Sequence, residues 1–155
     1  MKKKFTPEIA YILGMWHAKK LPDGVGIYGD KGEFFLELVD KYLHPVEKRT
    51  LFKGKFPVFY HNRVENYLKR LEKDRIHRLK YHNDYSAAYF AGMFEAGGSQ
   101  VENTVLLQGD KIDELLLTHL GFFPFRKEGF IIPRKSQAFL RYIQDWLLAS
   151  KASKE

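Results

Sequence analysis

Two stretches, Ile12-Leu13-Gly14-Met15-Trp16-His17-Ala18-Lys19-Lys20 and Phe90-Ala91-Gly92-Met93-Phe94-Glu95-Ala96-Gly97-Gly98, set a Gly among large apolar side chains. Each reads as a helix. A Gly inside a helix costs about 1 kcal/mol against Ala unless something must approach closely, so the pattern predicts two helices crossing with their backbones in near contact at Gly14 and Gly92. One helix opens each half of the chain, which points to an internal duplication. The pattern then repeats in step. Residues 25–31 and 105–111 read as strands ending in Gly-Asp-Lys, and apolar residues at helical spacing follow over 34–43 and 112–120. Asp30 and Asp110 stand where an N-cap belongs. Hairpins are predicted over 50–60 and 123–133, each with a Lys/Gly turn between β-favouring runs. Closing helices follow over 63–74 and 136–149, with Asn62 and Ser136 as N-caps. Each half therefore reads helix, strand, helix, hairpin, helix, within residues 1–82 and 83–155, and a basic segment over 75–83 joins them.

Residues 90–98 align position by position with the nine-letter motif of the LAGLIDADG homing endonucleases, six of the nine being the motif residue or a conservative exchange. Residues 12–20 form a weaker copy. The chain resembles that family over nearly its whole length. The resemblance implies an α+β fold of two pseudo-symmetric repeats, with central paired helices and antiparallel sheets forming a basic, DNA-facing saddle. In the family the eighth motif position is an acid that holds the divalent metal for DNA cleavage. Here the matching residues are Lys19 and Gly97, so the resemblance implies a DNA-binding scaffold without nuclease chemistry. The family's long hairpin after each motif helix has only residues 21–26 and 99–104 to form it, which implies a smaller DNA-reading surface.

The net charge of +7 and isoelectric point near 9.5 favour an anionic partner, nucleic acid ahead of an acidic membrane. Residues 1–82 hold 18 basic against 10 acidic side chains, and residues 83–155 hold 8 against 9, so the basic charge is concentrated in the first half. No apolar run approaches the roughly 20 residues of a membrane span. The opening Met1-Lys2-Lys3-Lys4-Phe5-Thr6-Pro7-Glu8 lacks a signal-peptide core. These features predict a soluble, cytoplasmic protein with no membrane partner. The absence of Cys excludes disulfides, Cys-ligated zinc and a Cys nucleophile. Taken with the abundant Lys, Glu and aromatic residues, it suggests a thermophile.

A lysine at the eighth motif position disfavours a hard cation and favours phosphate. Lys19 and Lys20 then read either as backbone contacts to DNA or as a solvated last turn complementing the helix dipole. Glu95 is the one acid within either motif and the one weak catalytic candidate. It lies two residues before the eighth position, a rotation of about 200°, and a polar contact at the helix interface, such as a hydrogen bond to His17, is the alternative. Asp23, Asp30, Glu102 and Asp110 lie near the motif ends but read better as turns and caps, and the six His lack zinc-like spacing, so no metal site is expected. The alternation around Gly54 places Phe52 and Phe56 on a buried face and Lys53 and Lys55 on an exposed one. Arg126, Lys127, Arg134 and Lys135 occupy similar places in the second half. Those basic residues read as phosphate contacts, the Arg also as readers of guanine edges, or else as charges that keep an exposed sheet soluble and discourage edge pairing. Lys69, Arg70, Lys73, Arg75, Arg78 and Lys80, interrupted by Glu72 and Asp74, read as a solvated helix face. Trp16, Phe34, Phe35, Phe90, Phe94 and Trp146 read as core. The expectation is a monomer with an internal pseudo-twofold that binds double-stranded DNA without catalysis and without a cofactor. The alternatives are a Mg²⁺-dependent homing endonuclease with displaced acids, an RNA-binding maturase-like protein, and a protein-interaction module.

Overall fold

The computed structural model describes residues 4–45 and 49–153, so the opening Met1-Lys2-Lys3 lies outside the described residues. In chain order the elements are α1 (Pro7–Lys19), α2 (Gly32–Leu43), the hairpin β1–β2 (Leu51–Lys53 and Phe56–Val58), α3 (Asn62–Lys73), the single-turn α4 (Arg75–Arg78) and α5 (Asp84–Gly97). There follow the hairpin β3–β4 (Ser99–Val101 and Thr104–Leu106), α6 (Lys111–His119), the hairpin β5–β6 (Pro124–Lys127 and Phe130–Pro133), α7 (Ser136–Ile143), a 3-10 turn (Gln144–Trp146) and α8 (Leu148–Ala152). This is an α+β fold with three small antiparallel sheets among the described residues.

Helix α1 begins where Thr6 Oγ1 accepts the Ile9 amide and Pro7 fills the first turn, in which its missing N–H is not needed. Helix α5 begins where Asn83 Oδ1 accepts the amides of Tyr85 and Ser86. Both helices are apolar around most of their circumference, and such a helix belongs in the interior. Every residue from Ile9 to Trp16 and from Ser86 to Met93 is buried. The two helices cross where the sequence predicts. A Cβ added to Gly14 would stand 1.9 Å from Tyr89 O and 2.9 Å from Met93 N, and one added to Gly92 would stand 2.1 Å from Tyr11 O and 3.1 Å from Met15 N. Tyr11 and Tyr89, Gly14 and Gly92, and Met15 and Met93 are each 78 positions apart, so each helix meets the other through equivalent backbone atoms. One apolar core surrounds this crossing and draws on both halves of the chain, from Phe35, Val39 and Leu68 to Leu117, Ile131 and Phe139.

Both sheet groups lie just beyond the C-terminal ends of the crossing helices. After α1 the chain turns back through the Lys20↔Ile27 bridge, and Val25 pairs with Phe59 at the end of β2. After α5 it enters β3–β4 directly, and Leu107 pairs with Ile131 of β6. The single strand predicted in each half is therefore the second arm of a miniature hairpin. The β5–β6 turn places Glu128 and Gly129 at φ 54° and 86°, the left-handed pair that a two-residue turn of type I′ requires.

Several local expectations are corrected. His61 caps α3, its Nδ1 accepting the Val64 amide, so Asn62 is the first helical residue instead. No side chain caps α2, and Asp30 lies exposed in the preceding turn. Ser136 is buried and bonds Pro133 O and the Val105 amide, tying α7 to the sheet rather than capping it. The closing helix of the second half breaks at Ile143 into the 3-10 turn and α8. Phe52 is 63% exposed, because its β1–β2 face has only Pro57 beside it and overhangs an open groove alongside Leu36 and Asp40. No helix of the described residues is long and apolar enough to cross a membrane.

Candidate functional site

A charged cluster is buried between α1, α3, α4, α5 and α6, and Asp113 lies at its centre. Helix α6 opens with a reciprocal cap: Asp110 Oδ1 accepts the Asp113 amide at 3.1 Å, and Asp113 Oδ2 accepts the Asp110 amide at 2.9 Å. That cap turns the fully buried Asp113 inward. Its Oδ1 also accepts from Arg75 Nη1 at 2.8 Å and Tyr89 OH at 2.6 Å, and its Oδ2 accepts from His17 Nε2 at 2.8 Å. Arg75 comes from α4 and is 5% exposed. It reaches Asp110 through Nη2 at 2.8 Å and donates Nε to Glu72 O at 2.7 Å. On the far side of His17, Nδ1 meets Glu72 Oε2 at 2.5 Å, and Lys20 donates to both Glu72 oxygens.

These contacts fix the charge states. Burial pushes the His17 imidazole down, but its hydrogen bonds to Asp113 and Glu72 outweigh burial and hold it up at about 9. Burial raises the Glu72 carboxyl, and the bonds from His17 and Lys20 reverse this and bring it to about 2. Asp110 is likewise held below its ordinary range, the Arg75 hydrogen bond overriding burial. Burial, with Asp113 beside it, keeps the Tyr89 phenol well above its ordinary value. With His17 protonated, three cations (His17, Lys20, Arg75) face three carboxylates (Glu72, Asp110, Asp113). The 2.9 Å separation of Arg75 Nη1 from His17 Nε2 is then no hydrogen bond; both atoms are donors converging on different oxygens of Asp113.

His17, Asp110 and Asp113 each offer a ligand atom, and these lie within 4.8 Å of one another. The spacing of His residues gave no hint of this grouping. The Arg75 guanidinium already sits among the three and donates to both carboxylates, and its charge opposes a second cation there. The cluster is a structural ion network, and it corrects two expectations. Arg75 is buried rather than solvated, and His17 bonds Glu72 and Asp113 rather than Glu95.

Glu95 instead holds the C-terminal segment. It accepts Tyr11 OH at 2.7 Å, the amides of Ala149 and Ser150 at 3.0 and 2.9 Å, and Ser150 Oγ at 2.7 Å. A carboxylate at the first turn of α8 satisfies amides that the helix leaves open. Asp23 is paired with Lys53 in an exposed turn, and Asp30 and Glu102 stand in other turns. None of these three joins Asp110.

The predicted nucleic-acid residues divide into two groups. Lys20 lies over the Trp16 ring and bonds Glu72, Lys53 is paired with Asp23, and Arg126 bonds Glu114 at 2.9 Å and the carbonyls of Gly109 and Gly129. Lys55, Lys127, Arg134 and Lys135 are exposed and have no ion-pair partner among the described residues. Arg134 lies over Phe125 and Lys135 over Phe123, at 4.9 and 5.0 Å. Lys19 has no ion pair among the described residues either, and its stem packs against Gly97, whose added Cβ would stand 3.2 Å from Lys19 Cγ.

The sequence reading sets Arg75 and Glu72 on a solvated face and gives Asp113 no role beyond its helix. Arg75 continues the buried stripe of Val64, Leu68 and Leu71 at helical spacing, which is the signal that a charge goes inside. Asp113 is three residues beyond Asp110, the spacing of a reciprocal cap. Comparison of the chain with protein-family models, curated proteins and solved structures gave no match.

Proposed function

We propose that this protein binds double-stranded DNA without cutting it, on a scaffold of the LAGLIDADG type. The observation that carries the reading is the crossing of α1 and α5. Equivalent residues of the two motif stretches meet backbone to backbone at Gly14 and Gly92, and the eighth motif positions, Lys19 and Gly97, come together at one end. In the family that end holds the metal-binding acids. Lysine and glycine do not fit a divalent metal there, and an ammonium group suits a phosphate oxygen. The order helix, return, helix, hairpin, helix is shared by the two halves and supports an internal twofold, the first return being the Lys20↔Ile27 bridge in one half and the β3–β4 hairpin in the other. The sheets flank the same end of the crossing, and the unpaired Lys55, Lys127, Arg134 and Lys135 supply phosphate contacts on either side, in keeping with the +7 charge.

The test is retention of random-sequence duplex DNA across a salt series, with and without Mg²⁺, scoring strand breaks as well. Tight retention that falls with salt and leaves the strands intact is the expected result. Mg²⁺-dependent breaks that disappear in Glu95→Gln would establish the endonuclease reading in its place. Loss of duplex at moderate salt with retention of structured RNA would establish the RNA-binding one.

A further inference from the structure

A cleft with a volume of about 600 Å³ lies where α7 leaves the β5–β6 hairpin. Arg134, Lys135 and Arg141 line it, with Phe125, Ile132 and Pro133 among its apolar walls, and no acidic side chain takes part. All three cations are exposed and lack an ion-pair partner among the described residues. This sets them apart from Lys20, Lys53 and Arg126, whose charges are engaged within the fold. The Arg134 guanidinium is held over the Phe125 ring, which orders it before any ligand arrives. The first turn of α7 borders the same cleft and has no side-chain cap. Three unpaired positive charges suit a phosphomonoester, which carries about −1.5 to −2 at neutral pH, better than a carboxylate. The volume exceeds what a bare phosphate needs and falls in the range of about 300–1,000 Å³ typical of small-molecule sites, and the apolar walls suit a sugar and base.

We infer that this cleft is a nucleotide site that seats one phosphate group between Arg134, Lys135 and Arg141, with the attached nucleoside against the apolar walls. The site stands on the cleft alone, and rests on the proposed function only where the nucleotide is the end of a nucleic-acid strand rather than a free molecule. Arg141, which no reading of the hairpins singles out, is the residue that separates this site from a general basic surface.

The experiment is titration of the full ¹⁵N-labelled chain with adenosine 5′-monophosphate, with adenosine, and with a 5′-phosphorylated dinucleotide, following the amides of residues 135–141. The expected result is saturable shifts with the monophosphate, little response to adenosine, and affinity for the monophosphate reduced roughly tenfold or more in Arg141→Gln, the loss of one charge-assisted contact. Tighter binding of the dinucleotide would identify a strand end as the source of the phosphate, and equal binding a free nucleotide. Equal responses to adenosine and the monophosphate, no saturable response to either phosphate ester, or an unchanged affinity in Arg141→Gln would overturn the site. Duplex retention is scored separately. A chain that binds the monophosphate but not duplex overturns the proposed function and supports this site. A chain that retains duplex yet ignores both phosphate esters does the reverse.

Discussion

Asp113 receives four side-chain and backbone hydrogen bonds on two carboxylate oxygens while fully buried, so its neighbours offset its desolvation. Asp113→Asn leaves Arg75 and His17 buried against a neutral amide, and the expected loss is about 3–5 kcal/mol, the usual cost of breaking a buried ion pair, read from urea unfolding. His17 adds a pH dependence whose sign follows from its raised value. The folded state holds the proton more tightly, so this stabilisation is complete below about pH 6.5 and is lost as the pH rises to about 9. The shift corresponds to ~3 kcal/mol. Glu72 has the opposite sense: its stabilisation is complete above pH 4.5 and is lost as the pH falls towards 2. A series of urea midpoints should therefore show a plateau between these limbs, and His17→Gln should remove the alkaline decline. Of this cluster, the Asp110 cap follows directly from the sequence, and the three-residue spacing to Asp113 is the subtler sign of its reciprocal partner. Arg75 was missed because its neighbours Lys73, Asp74 and Arg78 made the segment look solvated, although its spacing from Leu71 placed it on the buried stripe.

The crossing of α1 and α5 was legible because a glycine among bulky apolar residues weakens its helix unless a second backbone comes close to it. Gly92→Ala places a methyl group 2.1 Å from Tyr11 O. The helices must part, and the expected cost is about 3 kcal/mol, at the upper end for overpacking and against the small gain in helix propensity. Denaturant unfolding of Gly14→Ala and Gly92→Ala should give similar losses, since each methyl meets the equivalent carbonyl. The break between α7 and α8 was not legible, since apolar residues continue through Ile143, Trp146 and Leu147 at helical spacing. What starts α8 is Glu95, far away in sequence, accepting the Ala149 and Ser150 amides. Glu95→Gln should cost about 1–2 kcal/mol through weakened charge-assisted bonds. Amide exchange should quicken at Ala149, Ser150 and Lys151 while the crossing helices keep their protection. The exposed Phe52 was misread for a related reason: alternation along β1 tells which residues share a face but not whether anything lies over that face.

For the molecule as a whole, the distribution of paired and unpaired cations matters more to nucleic acid than the net charge. Each of Lys127 and Lys135, changed to Gln, should reduce the slope of log affinity against log salt for duplex by about 0.9. Arg126→Gln, by contrast, removes a residue bound to Glu114 and two carbonyls, and its main effect should be on the unfolding midpoint. The glycine crossing also governs how this chain tolerates change. Each glycine faces the other helix's main chain, not its side chains, so no exchange elsewhere opens room for a methyl group by shrinking. Selection for second-site suppressors of Gly92→Ala should therefore recover reversion, or changes that shift a whole helix, and no compensating partner residue, which makes these two positions an evolutionary dead end for every residue except glycine.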